Sequence, residues 1–115
     1  MTDDNAAQLM DEAAAKLRDA LHASYGRPAH PSVLHSRAAA IVDILSRVQQ
    51  AARMLSETTM AAPSMFALGS DDETAAGEHV ATASSALDST RALIDQAHRL
   101  TNQAFSALSH LKLES

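Results

Sequence analysis

The chain has 115 residues, a net charge of −5 and no cysteine. This length is typical of one domain, and the absence of cysteine excludes disulfides, thiolate catalysis and cysteine-based zinc sites. Because the chain is acidic and has only one Tyr, two Phe and no Trp, it is not expected to bind nucleic acid. No apolar stretch reaches the ~18 residues of a membrane helix, and the acidic N-terminus lacks a signal-peptide core. We therefore expect a cytoplasmic protein without a membrane partner, with secretion independent of a signal peptide as the alternative.

Alanine dominates the apolar residues of the chain. It supplies 25 residues, whereas leucine, isoleucine, valine and phenylalanine together supply 22. Alanine has the best helix propensity because it loses no side-chain entropy on folding. Each buried alanine removes less apolar area from water than a leucine does. The composition therefore predicts helices with thin cores, which burial against a partner would stabilise.

Helix one is predicted over residues 3–24. Large apolar residues such as Leu17 and Leu21 recur at helical spacing and share one face. Gly26 suits the left-handed residue that ends many helices, and Pro28 prevents continuation. A short connector is therefore predicted to follow.

Helix two is predicted over residues 32–60. Its apolar positions alternate between spacings of four and three residues, which is the heptad pattern of a coiled-coil seam. The predicted seam consists of Leu34, Ala38, Ile41, Leu45, Val48, Ala52, Leu55 and Thr59. Val42 and Ile44 flank this line, so the helix is expected to pack on more than one neighbour.

The main break in the chain is predicted over residues 61–72, where Pro63 and Gly69 interrupt the helical pattern. The same segment carries a cluster of large apolar residues that includes Met65 and Phe66. The favoured interpretation is that this cluster folds back and caps the hairpin core, because a chain poor in large side chains needs them there. The alternative is that it anchors a partner.

Helix three is predicted over residues 73–111, with Ser70, Asp71 or Asp72 as its capping residue. Its seam repeats at three and four residues. The predicted positions are Val80, Ala83, Leu87, Thr90, Ile94, Ala97, Thr101, Ala104, Leu108 and Leu111. Leu93, Leu100 and Phe105 lie beside that seam and widen it.

The predicted fold class is all-α. We expect a single domain over residues 1–115, a three-helix bundle in which a short N-terminal helix packs on a long antiparallel helical hairpin. β-branched residues do not alternate with polar ones, so no strand is predicted.

Two aspartate–histidine pairs have the spacing of metal ligands on a helix. Asp19 and His22, like Asp95 and His98, are three residues apart, which puts a carboxylate and an imidazole on one helix face, as helical di-metal sites require. A solvent-exposed ion pair is the favoured interpretation. The sequence also lacks the glycine-rich turns that position a nucleophile or a phosphate. We therefore predict no metal, no cofactor and no enzyme activity, with a metal-dependent bundle enzyme as a remaining alternative.

The size, acidity, lack of cysteine and predicted hairpin resemble the small secreted WXG-type proteins of type VII secretion. Those proteins carry Trp-x-Gly between their two helices, whereas this chain has no Trp and carries Phe66-Ala67-Leu68-Gly69 there. The resemblance is therefore one of architecture, and it implies no site residue. It leaves a secreted or secretion-associated hairpin protein as an alternative function.

The favoured hypothesis is a non-enzymatic helical interaction module that binds itself or another helical protein. Its basis is the pair of continuous seams on long, alanine-rich helices. The predicted interface residues are Ile41, Leu45, Val48, Leu55, Met65, Phe66, Leu87, Ile94 and Leu108.

Overall fold

The computed structural model describes residues 5–24 and 26–114. Within them, all regular secondary structure is helical: α1 spans Asn5–Ser24, α2 spans Pro31–Met65 and α3 spans Ala76–Leu108. α2 and α3 pack along each other as a hairpin. The predicted all-α architecture with its long hairpin is therefore confirmed. The predicted start of helix one, at residue 3, lies outside the described residues.

α2 begins at Pro31 because the two residues around it satisfy the first turn. Proline suits the first helical position, since its fixed φ is helical and its missing N–H has no partner there anyway. His30 is the N-cap residue, and its Nδ1 accepts the backbone N–H of Ser32 at 3.1 Å. The N–H groups of Val33 and Leu34 both donate to the carbonyl of His30. The connector therefore ends at an imidazole cap.

α2 continues five residues beyond its predicted end at residue 60. Pro63 lies inside the helix, where it cannot donate to the carbonyl four residues earlier. The helix nevertheless persists to Met65, and the N–H of Phe66 still donates to the Ala62 carbonyl at 2.9 Å. Phe66 itself has extended backbone geometry. α2 thus ends two residues after Pro63 and not at the proline itself.

α3 begins three residues later than predicted, at Ala76. Ala75 is its N-cap residue and supplies no side-chain hydrogen bond. Asp72 instead accepts the N–H of Thr74 at 2.8 Å, which organises a turn before the helix. The predicted capping of α3 by residues 70–72 is therefore wrong, because Asp72 is engaged in this preceding turn. α3 then runs without a break to Leu108.

The hairpin has a seam of small residues at its closest approach. The buried side chains in the described part of the chain are all small: Ala38, Ala52, Ser56 and Ser84. Ser56 is level with Ser84, where the two hydroxyl oxygens are 2.9 Å apart. His35 is level with Phe105, where the two rings stack with centroids 4.3 Å apart. The register is therefore constant along the hairpin.

The observed seam differs from the predicted one by one residue at several positions. On α2 the inward residues are Leu34, Ala38, Val42, Leu45, Gln49, Ala52, Ser56 and Thr59. On α3 they are Val80, Ser84, Leu87, Arg91, Ile94, His98, Thr101, Phe105 and Leu108. Ile41, Val48 and Leu55 are instead exposed, at 48%, 45% and 55%. On α2 small residues such as Ser56 take the contact and the larger neighbours lie outside it, whereas on α3 larger residues such as His98 and Phe105 replace the predicted Ala97 and Ala104.

α1 does not contact the hairpin. No close backbone approach joins α1 to α2 or α3 in the described chain. Its large apolar residues are all exposed: Leu9, Met10, Leu17 and Leu21. The radius of gyration is 19.2 Å, whereas a compact chain of this length has about 13 Å. The predicted packing of the N-terminal helix on the hairpin is therefore not observed. Gly26 in the connector has a φ of +68°, the left-handed conformation expected after α1.

We predict that enlarging a seam serine destabilises the hairpin. Ser56 is only 5% exposed, so Ser56→Leu must push the helices apart and should lower the free energy of unfolding by about 1–3 kcal/mol. Gln50→Leu is the matched control because Gln50 is exposed on the same helix, and its effect should stay within about 0.5 kcal/mol. Urea unfolding followed by circular dichroism measures both at one protein concentration. Equal effects of the two substitutions would contradict the close approach at Ser56.

We also predict that α1 exchanges its amide hydrogens faster than α2. An unpacked helix of this length is marginal in water, and it opens without breaking the hairpin. Hydrogen exchange followed by mass spectrometry should show peptides from Asn5–Ser24 fully exchanged while those covering residues 45–56 stay protected. Equal protection of the two segments would show that α1 is packed.

Candidate interaction surface

A polar cluster fixes the middle of the hairpin. The hydroxyl of Ser84 is placed to donate to Ser56 Oγ, which then donates to Asp88 Oδ1 at 3.0 Å. Arg91 Nη1 donates to the same carboxylate oxygen at 3.4 Å. Asp88 therefore collects donors from both helices. Because buried hydroxyls need partners, this cluster favours the observed register over a shifted one.

One side of the hairpin is apolar between two polar ends, which are Arg37 on α2 and His79 on α3. On both helices, exposed apolar residues come one position before inward-facing residues, so the helical step of about 100° turns them to one side of the seam. Since α2 and α3 run in opposite directions, the same sense of rotation leads to the same side of the hairpin. We call this surface the uncharged face. It consists of Ile41, Ile44, Val48, Ala51, Leu55, Thr58 and Ala62 on α2, and of Ala83, Ala86, Thr90, Leu93, Ala97, Leu100, Ala104 and Ala107 on α3.

Few polar groups on the uncharged face would lose contact with water if the face were covered. None of its residues carries a charge, although a fifth of the chain is charged. The hydroxyl of Thr90 donates to the Ala86 carbonyl at 2.9 Å within its own helix. Its hydrogen-bonding need is therefore met without water, and covering this part of the face leaves no unpaired donor.

The opposite side of the hairpin is charged. There Arg53 pairs with Glu57 at 3.1 Å, and Arg99 pairs with Asp95 at 2.8 Å. A shallow open groove on this side is lined by Met60, Ser84 and Asp88 among others. The hairpin is thus amphipathic as a unit, with one side suited to water and the other to apolar contact.

Seven of the nine predicted interface residues divide between the seam and the uncharged face. Four are half-buried within the hairpin seam: Leu45, Leu87, Ile94 and Leu108. Ile41, Val48 and Leu55 lie exposed on the uncharged face. The prediction omitted three further exposed residues of this face: Ile44, Leu93 and Leu100. The signal for them was their position beside the predicted seams, which made the apolar stripe wider than one helix contact needs.

The loop cluster does not cap the hairpin core. Met65 is the last residue of α2 and is 71% exposed, and Phe66 follows it at 64%. The favoured interpretation of these residues as a cap is therefore wrong, because α2 continues past Pro63 and carries them beyond the end of the seam.

A serine and an aspartate in the turn before α3 contact each other, and a histidine in the first turn of α3 contacts the same aspartate. His79 Nε2 donates to both carboxylate oxygens of Asp72, at 2.8 and 3.0 Å. Ser70 Oγ donates to Asp72 Oδ1 at 2.8 Å. In a catalytic triad the serine contacts the imidazole, which takes its proton, whereas here it contacts the carboxylate. The arrangement therefore ties the loop to the first turn of α3, and the hydroxyl is not activated.

These contacts stabilise the charged form of Asp72. The pKa of this carboxyl lies below its ordinary value of 3.8, chiefly because of the His79 hydrogen bond, with further lowering by Ser70 and the Thr74 N–H. A carboxyl with a lowered pKa stabilises the fold above its unfolded-state pKa and loses that contribution as the pH falls through its folded-state pKa. The loop anchor is thus present at neutral pH and is lost in acid.

The two aspartate–histidine pairs of the helices do not form a metal site. Asp95 accepts from Arg99, while His98 Nδ1 lies 3.5 Å from Asn102 Nδ2. Across residues 5–24 and 26–114, no three histidine or acidic side chains converge in a way that could hold a metal ion. The described helices also include none with the length and apolar character needed to cross a bilayer.

We predict that His79→Ala raises the pKa of Asp72 toward 3.8, because it removes the side-chain hydrogen bond that is the largest cause of the lowering. A pH titration of the Asp72 carboxyl by NMR measures this. Glu78→Gln, in the same first turn, is the control and should leave the Asp72 titration unchanged. An unaltered Asp72 titration in the His79 variant would show that the imidazole does not hold the carboxylate in solution.

No protein-family model, curated protein sequence or solved structure matches this chain.

Proposed function

We propose that the chain is a non-enzymatic helical interaction module, and that it associates with itself or with another helical protein through the uncharged face. The observation that carries this proposal is the continuous exposure of apolar residues on one side of the hairpin. Leu93 is 67% exposed and Leu55 is 55% exposed. Scattered exposed apolar residues are normal on a monomer, but an aligned stripe on two packed helices marks a contact surface.

A helical partner fits this surface better than an irregular one. The exposed residues Ile41, Val48 and Leu55 repeat every seven residues, as do Leu93 and Leu100. A partner helix presents its own side chains at the same repeat, so knobs can enter holes along the whole face. A strand or a loop has no such period to match.

The alternative functions draw no specific support from the site. The hairpin is compatible with a secreted protein of WXG-like architecture, but residues 66–69 adopt no arrangement that distinguishes that function. A metal-dependent reaction would need converging ligands, which the described side chains do not supply. We therefore retain the interaction module as the proposal.

Site-specific photo-crosslinking tests the proposal in the cells that make this protein. We expect a benzophenone amino acid at Val48 to yield a discrete covalent adduct with another chain, because Val48 lies at the centre of the uncharged face. A second probe at Leu93 should capture the same adduct from α3.

The matched control is the same probe at Gln50, which is exposed on the opposite side of α2. It should give no discrete adduct. Adducts of equal yield from Val48 and Gln50, or none from Val48 and Leu93, would overturn the proposal.

A further inference from the structure

The exposed area of the chain is much larger than a compact monomer requires. The accessible surface is 9103 Å², whereas a folded monomer of 12.1 kDa is expected to expose about 6000 Å². The excess is about 3000 Å². A standard interface removes about 800 Å² per partner, and a large obligate homodimer about 2500 Å² per chain. The excess is larger than a standard interface covers, and both the detached α1 and the exposed apolar side of the hairpin contribute to it.

We propose that the uncharged face is covered by the same face of a second copy, so that two hairpins form an antiparallel four-helix bundle. This inference rests on the proposed function and names the partner. A two-fold axis parallel to the helices places α2 of one copy over α3 of the other, in antiparallel orientation.

The face is self-complementary in side-chain size under this symmetry. α2 contributes the larger residues Ile41, Val48 and Leu55 at a seven-residue repeat, and α3 contributes small ones at the same repeat. These small residues are Ala83, Thr90, Ala97 and Ala104. Large side chains of each copy can therefore enter the depressions that small ones leave on the other. The constant register of the hairpin aligns the two repeats along their length.

Charge also favours a second copy at this face. Each chain carries a net charge of −5, so two copies repel wherever their charged surfaces meet. The uncharged face contains no acidic residue, and the ion pairs of the opposite side point away from it. Self-association through this face therefore keeps the acidic residues of the two copies apart, with Arg37 lying at the end of the face.

The competing occupant is α1 of the same chain. Its exposed apolar residues and its connector would allow it to fold back, but in the structure it lies clear of both hairpin helices. A foldback would leave the protein monomeric. Mass in solution therefore separates the two arrangements.

Sedimentation or light scattering of the full chain from micromolar to near-millimolar concentration tests the proposal. We expect a dimer with twice the chain mass of 12.1 kDa, dissociating on dilution. Val48→Asp should weaken association by about 100-fold or more, because each copy would bury an unpaired carboxylate. Leu93→Asp should act in the same way from α3. Both residues are exposed in the hairpin, so a retained helical circular dichroism spectrum is expected.

The controls separate this face from the rest of the surface. Gln50→Asp adds the same charge on the opposite side of α2 and should leave the dimer intact. Leu17→Asp alters the apolar face of α1 and should also leave it intact. A monomeric wild type at every concentration, or dissociation by Gln50→Asp as readily as by Val48→Asp, would overturn the inference. So would loss of the dimer in Leu17→Asp alone.

The outcome is distinguishable from that of the proposed function. A monomeric purified protein that still forms a discrete Val48 adduct with a different chain in cells would overturn the second copy and leave the interaction module standing. Absence of both the dimer and the adduct would overturn both.

Discussion

The close approach of α2 and α3 along a line of small side chains is the constraint on which the rest of the structure depends. Ala52 and Ser56 on one helix and Ser84 on the other are buried between the helices, and the hydroxyls of Ser56 and Ser84 are 2.9 Å apart. Because alanine and serine fill little space, they permit this approach, and the polar cluster with Asp88 fixes its register. The larger residues beside them are then directed to the side of the contact. The seam thus creates the uncharged face.

The same choice of small residues limits what the hairpin can gain from its own core. Burying alanine and serine removes little apolar area from water, so the hydrophobic contribution per residue is low. The apolar area that would stabilise a compact monomer is present in the chain, but it lies on the outside. In the proposed dimer a second copy would cover this exposed area, and the stability of the fold would then depend on association.

The hairpin could be predicted from the sequence because its signals are local: helical spacing, alanine content, and Pro and Gly between the helices. The exact seam could not, since the heptad pattern identifies the most apolar line, whereas the observed contact also includes polar residues such as Gln49 and Arg91. Serine at positions 56 and 84 gives no apolar signal at all. The sequence could not predict that α1 is separate from the hairpin. An amphipathic face such as that of Leu17 and Leu21 shows that a helix needs a partner, but it does not show where that partner lies. Ile41, Val48 and Leu55 were predicted to lie in the hairpin seam, whereas the structure exposes them beside it.

The ion pairs within the helices of the hairpin have a consequence for how the surface can vary. Each of these four pairs, including Arg47 with Asp43 and Arg91 with Asp88, joins residues three or four apart on a single helix. Such pairs support their own helix. Among their members, Asp88 also accepts a hydrogen bond from Ser56 of α2, so it connects the two helices. The other three pairs have no such role, and their residues can be substituted without changing the packing of α2 on α3.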